Sequence, residues 1–156
     1  AMRFDVKGRK YIGTESKYYF NDMGLRNAVL NFRQQEITYI MEIIIYNELR
    51  SRGYRVDVGV LDRWSTNGNG VSRRQRLEVD FVVNNGADRL YIQSAYRMPS
   101  LEKEEQERRL LLGIADSFRK MIIVGGPIKT SIDDNGIVTM NIFDFLLNKK
   151  STEVNL

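Results

Sequence analysis

The chain of 156 residues, 42% hydrophobic and 28% charged, has the size and composition of one globular domain with room for a real core. It contains no cysteine and no histidine, which excludes disulfides, thiolate zinc sites, Cys nucleophiles and His bases or ligands. Any metal would be held by oxygen, favouring Mg2+, Mn2+ or Ca2+, and a net charge of +4 is compatible with nucleic acid without pointing to it. No apolar run approaches the roughly 20 residues of a membrane span, and no basic-then-apolar leader opens the chain, so a cytoplasmic setting is expected.

In chain order, residues 1–16 read as a linker or strand running in from an upstream region, and 17–150 as the folded domain. Tyr18-Tyr19-Phe20 suggests a short strand, and Asn21-Asp22 suits the cap of a helical turn through Leu25, Ala28, Val29 and Leu30. From about 35 to 51, Ile37, Ile40, Met41, Ile44, Ile45 and Leu49 fill one arc of a core-facing helix, with Glu42 at its edge and Glu48 near its centre. Gly53 ends that helix, and Tyr54 to Leu61 alternates as a strand. Asp62 to Arg76 reads as a loop, with a turn at 66–70 and the basic cluster Arg73, Arg74 and Arg76.

Two β-rich runs follow, Leu77–Val83 and Arg89–Tyr96, joined by Asn84-Asn85-Gly86-Ala87-Asp88. Each carries a polar residue, Asp80 and Gln93, in an apolar context where desolvation demands a partner or a metal. A second helix starts at Ser100, with a buried stripe of Leu101, Leu111, Leu112, Ala115 and Phe118. Lys120–Gly126 reads as a buried strand, Gly136–Ile142 as another, and Phe143–Leu147 as a short helix before a frayed tail at 151–156. The order describes an α/β protein, a mixed sheet flanked by helices, whose second helix crosses between parallel strands.

The helix acid Glu42, the strand acid Asp80 and Gln93 thirteen positions later resemble the metal site of the restriction-endonuclease-like PD-(D/E)xK superfamily. The resemblance implies an α-β-β-β-α-β core, here with an extra C-terminal strand and short helix, and Mg2+ or Mn2+ held by Glu42, Asp80 and Gln93. In that chemistry clustered carboxylates bind a hard cation that activates water, and a lysine assists. This sequence departs from the pattern twice: Gln93 replaces a carboxylate, and Ala95 stands where the lysine belongs. Lys103, Arg97 or Arg108 are the basic residues that a relocated lysine would call on.

A closer resemblance covers nearly the whole chain through Lys17–Asn27, Met41–Leu49, Arg52-Gly53-Tyr54, Glu78–Phe81, Tyr91–Tyr96 and Ile142–Leu147. These blocks are similar to a bacterial domain of unknown function that follows the ATPase and winged-helix parts of predicted AAA+ ATPases. That implies an upstream ATPase domain in the same protein as partner. Gly125-Gly126-Pro127-Ile128-Lys129-Thr130 lacks the glycine and spacing of a Walker A loop, so no ATPase motif lies in this chain.

Three functions stay open. A catalytically degenerate nuclease-like module would contact DNA or a partner protein, with Arg73, Arg74 and Arg76 on phosphates. An active Mg2+-dependent DNA endonuclease would use Glu42, Asp80 and Gln93 with a relocated basic residue. A structural domain would set oligomer geometry. Structural uses stand beside each site residue: Glu42 against solvent or a cation, Glu48 paired with an arginine, Asp80 bonded to neighbouring backbone, Gln93 as a satisfied amide, and Tyr11, Tyr18 and Tyr19 in packing.

Overall fold

The structure, a computed structural model, describes residues 1–13, 15–33, 36–66, 72–96 and 101–153; for 65, 66, 72 and 101–104 it describes the backbone alone. Eight strands form one mixed sheet: β1 (Arg3–Asp5), β2 (Lys10–Ile12), β3 (Arg55–Thr66), β4 (Ser72–Asn85), β5 (Asp88–Ala95), β6 (Arg119–Val124), β7 (Ser131–Ile132) and β8 (Ile137–Asn141). Their order is β2-β1-β3-β4-β5-β6-β8-β7. The helices are α1 (Met23–Val29), α2 (Ile37–Ser51), α3 (Leu101–Leu112) and α4 (Ile142–Leu147), with a 3-10 turn at Ser151–Glu153.

Strands β3, β4 and β5 form an antiparallel meander, while β5, β6 and β8 run parallel. The connection through α3 therefore joins parallel strands, as expected. Helix α2 packs Met41, Ile45 and Leu49 on Phe81, Val83, Ile92, Met121 and Ile123, and α4 adds Phe145 to the same face. Helix α3 covers the other face, where Leu110 and Leu111 meet Leu61, Val79, Val82, Tyr91 and Ile122. Burial on both faces explains why β5 and β6 read as near-continuous apolar runs.

Several sequence expectations are corrected. Residues 1–16, expected as a linker or strand, supply β1 and β2: β1 pairs parallel with β3, and Phe4 and Val6 enter the core. Tyr18–Phe20 is not a strand, because α2 side chains take its carbonyls: Tyr39 donates to Tyr18 O at 3.1 Å and Asn47 to Phe20 O at 2.9 Å. Asp22 does cap α1, its Oδ1 accepting from Leu25 N at 2.8 Å, yet Leu25 and Val29 face outward. Helix α3 stops before Ala115, so Leu110 and Ile114 join Leu111 in the core, while Leu112 and Ala115 are exposed. The expected cap Ser100 lies outside the described residues, as does the side chain of Leu101.

The tail is not frayed at its start. Ser151 and Thr152 are buried, and Arg52 at the end of α2 donates to Ser151 Oγ at 2.8 Å and Phe145 O at 2.6 Å. Residues 154–156 lie outside the described residues.

The expected loop from Asp62 to Arg76 is instead the arm of a long hairpin. β3 and β4 stay paired from Leu61↔Leu77 out to Thr66↔Ser72. The expected turn residues 67–70 lie outside the described residues. No apolar alternation announced this arm because both its faces are polar, so the backbone ladder and cross-strand charge pairs carry it.

Candidate functional site

The site begins with an irregularity in β4. Asp57 pairs with Val82 but Gly59 pairs with Val79, so Val58 alone stands against both Asp80 and Phe81. This is a β-bulge, and its extra residue changes which way a side chain points. Val79 and Val82 lie on the α3 face and Phe81 on the α2 face, so Asp80, next to Val79, also turns toward α2. Gly59 permits the crowding: a Cβ there would lie 2.8 Å from Val79 Cβ and 2.9 Å from Val82 Cγ2.

On that face Asp80 meets three other charged groups. Glu42, 8% exposed, projects from α2 and accepts a hydrogen bond from Tyr19 Oη at 2.8 Å. The Tyr19 ring stacks on Tyr46, one helical turn beyond Glu42, with centroids 4.1 Å apart. Glu78, two residues before Asp80, shares its face by strand alternation. Lys17 closes the group, its Nζ pairing with Glu42 Oε1 and, at 3.0 Å, with Glu78 Oε1. Arg3 of β1 pairs with the other oxygen of Glu78.

Asp80 is held by β5. Its Oδ2 accepts from Ser94 N at 2.8 Å and Ser94 Oγ at 2.7 Å. Gln93 Oε1 in turn accepts from Asp80 N at 3.3 Å. The β4–β5 backbone ladder ends at Phe81↔Ile92, and these side-chain bonds satisfy the groups beyond it. Gln93 alternates with Tyr91 and Ala95, which pack against α3, so its side chain leaves the sheet on the side opposite Glu42.

The protonation states follow from this setting. Burial, then the negative charge of Glu42, pushes the Asp80 carboxyl up to about 7, against the opposing pull of Ser94 and Lys17. For Lys17 burial lowers the pKa, but the bonds and charges of Glu42 and Glu78 outweigh it and hold the ammonium above its usual range. Burial and the adjacent Glu42 hold the Tyr19 hydroxyl far above the ordinary tyrosine range, so it stays a donor. Burial alone would raise Glu78, yet Arg3 and Lys17 bring it below its usual value.

Of the sequence-derived candidates, Glu42 and Asp80 come together and Gln93 meets Asp80 only through the backbone. Glu48 pairs with Arg52 Nε at 2.8 Å, the structural use foreseen for it. Arg108 ion-pairs with Asp133 at 3.5 Å, while Arg97 and the Lys103 side chain lie outside the described residues. The basic residues that reach the acids are Lys17 and, at Glu78, Arg3, both missed by sequence reasoning; Lys17 opens the first block of the resemblance but lies about 25 residues from Glu42 in sequence. Glu78 was missed too, although its i, i+2 spacing from Asp80 was visible.

These residues do not fit a resident divalent cation as they stand. An ammonium already bridges Glu42 and Glu78, Ser94 binds Asp80, and Gln93 sends its oxygen to a backbone N–H from the other face. Among the described residues no group of three acidic side chains that could hold a metal ion is found. The arrangement can keep a partly protonated carboxyl beside a neutralised carboxylate pair.

Fold and site together define an α/β protein with a mixed eight-stranded sheet flanked by helices and an acidic cluster bridged by a lysine. The chain is similar to a protein of Haemophilus influenzae described as uncharacterized, with 32% identity over 148 residues. The match takes in 94% of this chain and 32% of that protein, so the chain spans about a third of its relative's length. No family model and no solved structure matches the chain. Among the described residues no helix is long and apolar enough to cross a membrane.

Proposed function

We propose that this chain is a nuclease-like accessory domain of a AAA+ type ATPase, catalytically degenerate, which contacts nucleic acid or a partner protein instead of cutting. The observation that carries the reading is Lys17 Nζ seated between Glu42 and Glu78, on the face to which the bulge turns Asp80. A tethered ammonium supplies there the positive charge that the restriction-endonuclease-like resemblance would assign to Mg2+ or Mn2+. The order α2-β3-β4-β5-α3-β6 supports that core, with β8 and α4 as the extra strand and helix. A relative three times the chain's length supports reading it as one domain of a larger protein.

The test is plasmid cleavage with Mg2+ or Mn2+, alongside Mn2+ binding followed by the paramagnetic resonance of the free ion. Wild-type protein is expected neither to cut nor to bind Mn2+ tightly. Lys17→Met, which frees the carboxylates, is expected to raise Mn2+ affinity tenfold or more. Cleavage by wild type, abolished by Asp80→Ala, overturns the degenerate reading.

The same lysine favours a second reading, an active nuclease in which Lys17 is the relocated basic residue. In that case Lys17→Met loses cleavage together with Asp80→Ala, whereas the degenerate reading gives no cleavage to lose.

A further inference from the structure

The hairpin arm carries an inference of its own. The β1 ladder on β3 ends at Val60 and the β5 ladder on β4 ends at Phe81, so beyond them residues 62–66 and 72–76 pair only with each other among the described residues. This stretch holds four arginines (Arg63, Arg73, Arg74 and Arg76) against one aspartate, Asp62, and so carries most of the chain's net charge of +4. Charge collected on a projecting ribbon creates a local positive field that a near-neutral body does not cancel.

Strand alternation sorts the arm's side chains. Trp64 pairs with Arg74 and Asp62 with Arg76, so these four share one face, the face that leads down β4 through Glu78 to Asp80. Asp62 binds both Arg74 and Arg76, aligning their guanidinium groups without balancing them. Trp64, the only tryptophan in the chain, is 67% exposed directly opposite Arg74, with the Asp62–Arg76 pair next along the same face. A large indole left in water beside aligned guanidinium forks matches a ligand with alternating flat rings and anionic groups.

We propose that this arm binds single-stranded nucleic acid, with Trp64 stacking on an unpaired base while Arg74 and Arg76 hold the flanking phosphates. A duplex keeps its bases stacked on each other and offers no free ring face to the indole, whereas every unpaired base does. On the opposite face Arg63 borders a cleft of about 820 Å3 between the arm and α3, but Glu78, Glu105 and Glu107 also line it, so the strand is held on the Trp64 face. The proposal deepens the accessory-domain reading and rests on its nucleic-acid branch.

Because Trp64 is the sole tryptophan, its emission reports the contact directly. Titration with a 15-mer oligothymidylate at low salt is expected to quench it, and a blunt 15-base-pair duplex to quench it far less. By anisotropy of a labelled oligothymidylate, Trp64→Ala is expected to weaken binding roughly tenfold or more. The double variant Arg74→Ala, Arg76→Ala should lower the slope of log affinity against log salt by about 1.4, two phosphate contacts on a single strand. Lys149→Ala, Lys150→Ala removes the same charge elsewhere and should bind as wild type does. Equal weakening by both double variants overturns the proposal by reducing it to net charge. Anisotropy that reports binding without any Trp64 quenching overturns it while leaving nucleic-acid contact by the domain intact. Binding in neither readout defeats that branch as well, and quenching by polyglutamate in place of the oligonucleotide assigns the arm to an acidic protein.

Discussion

Asp80 sits at a point where backbone pairing fails, and its carboxylate takes over the role of the missing carbonyl by accepting from Ser94 N and Oγ. Keeping it there costs stability once it ionises. Its pKa rises from 3.8 to about 7 on folding, so between those values the folded chain binds more protons than the unfolded one. Stability from this group is therefore full below about pH 4 and falls as pH rises to 7, by a total on the order of 4 kcal/mol. Asp80→Asn keeps an oxygen for Ser94 and cannot ionise. Urea unfolding should show this variant gaining stability on wild type at pH 8 and little at pH 4; a loss at pH 8 would mean that Lys17 needs the Asp80 charge. Glu78 acts in the opposite sense: its pKa is depressed, so its ion pairs with Arg3 and Lys17 contribute above its unfolded value of 4.5 and are lost as pH falls below it.

At the level of elements, the bulge in β4 is what makes a site out of a strand. Without it, strict alternation would send Phe81 to the α3 face and empty the hydrophobic seat under α2. Gly59 lets β3 lie close to that bulge, where an added Cβ would also come within 3.2 Å of Val6 Cγ2. The neighbours are a backbone-proximal Cβ and branched valine methyls, which have little freedom to move. Gly59→Ala should cost roughly 1–3 kcal/mol in a chemical melt. It should also disturb the amide resonances of Asp80 and Ser94 more than those of β6; unchanged shifts at Asp80 would argue that the bulge is set by something other than this close approach.

Over the whole molecule, Arg52 ties the first half of the fold to the last. It leaves the end of α2, pairs with Glu48, lies 4.7 Å from the centre of the Phe145 ring, and donates to Phe145 O and Ser151 Oγ. Tyr54 and Arg119 hold Thr152 in the same way, with Tyr54 Oη 2.8 Å from Thr152 Oγ1 and Arg119 donating to Thr152 O at 2.6 Å. Arg52→Ala removes the donor to Ser151 Oγ, one of the two donors to Phe145 O (Ser151 Oγ is the other) and the partner of Glu48, and should cost roughly 2–4 kcal/mol. Hydrogen exchange should then accelerate selectively from Phe145 to Glu153. Arg52→Lys should recover only part of the loss, because an ammonium cannot reproduce the planar fork.

The chain by itself determined the elements whose burial writes a period. The run of β6, the two strands around Gly86 with its φ of +63° and the Met41, Ile45 and Leu49 part of the α2 arc were legible because packing dictates their spacing, whereas Ile37 of that arc is exposed and the fully buried Ile43 lay outside it. Glu42 and Asp80 could be named as a pair only through the resemblance to the restriction-endonuclease-like pattern. Three things were decided only by tertiary structure. The polar arm from Asp62 to Arg76 has no apolar face to betray its strands, and Arg52's grip on Ser151 spans 99 residues. The third is the fate of the acidic cluster. The segment before α1 has no regular structure to predict, yet Tyr39 and Asn47 pin it across α2 and so deliver Lys17 to Glu42 and Glu78. The sequence pointed to Glu42 and Asp80 but not to Glu78; only the path of an irregular strap decided which cation neutralises Glu42 and Glu78.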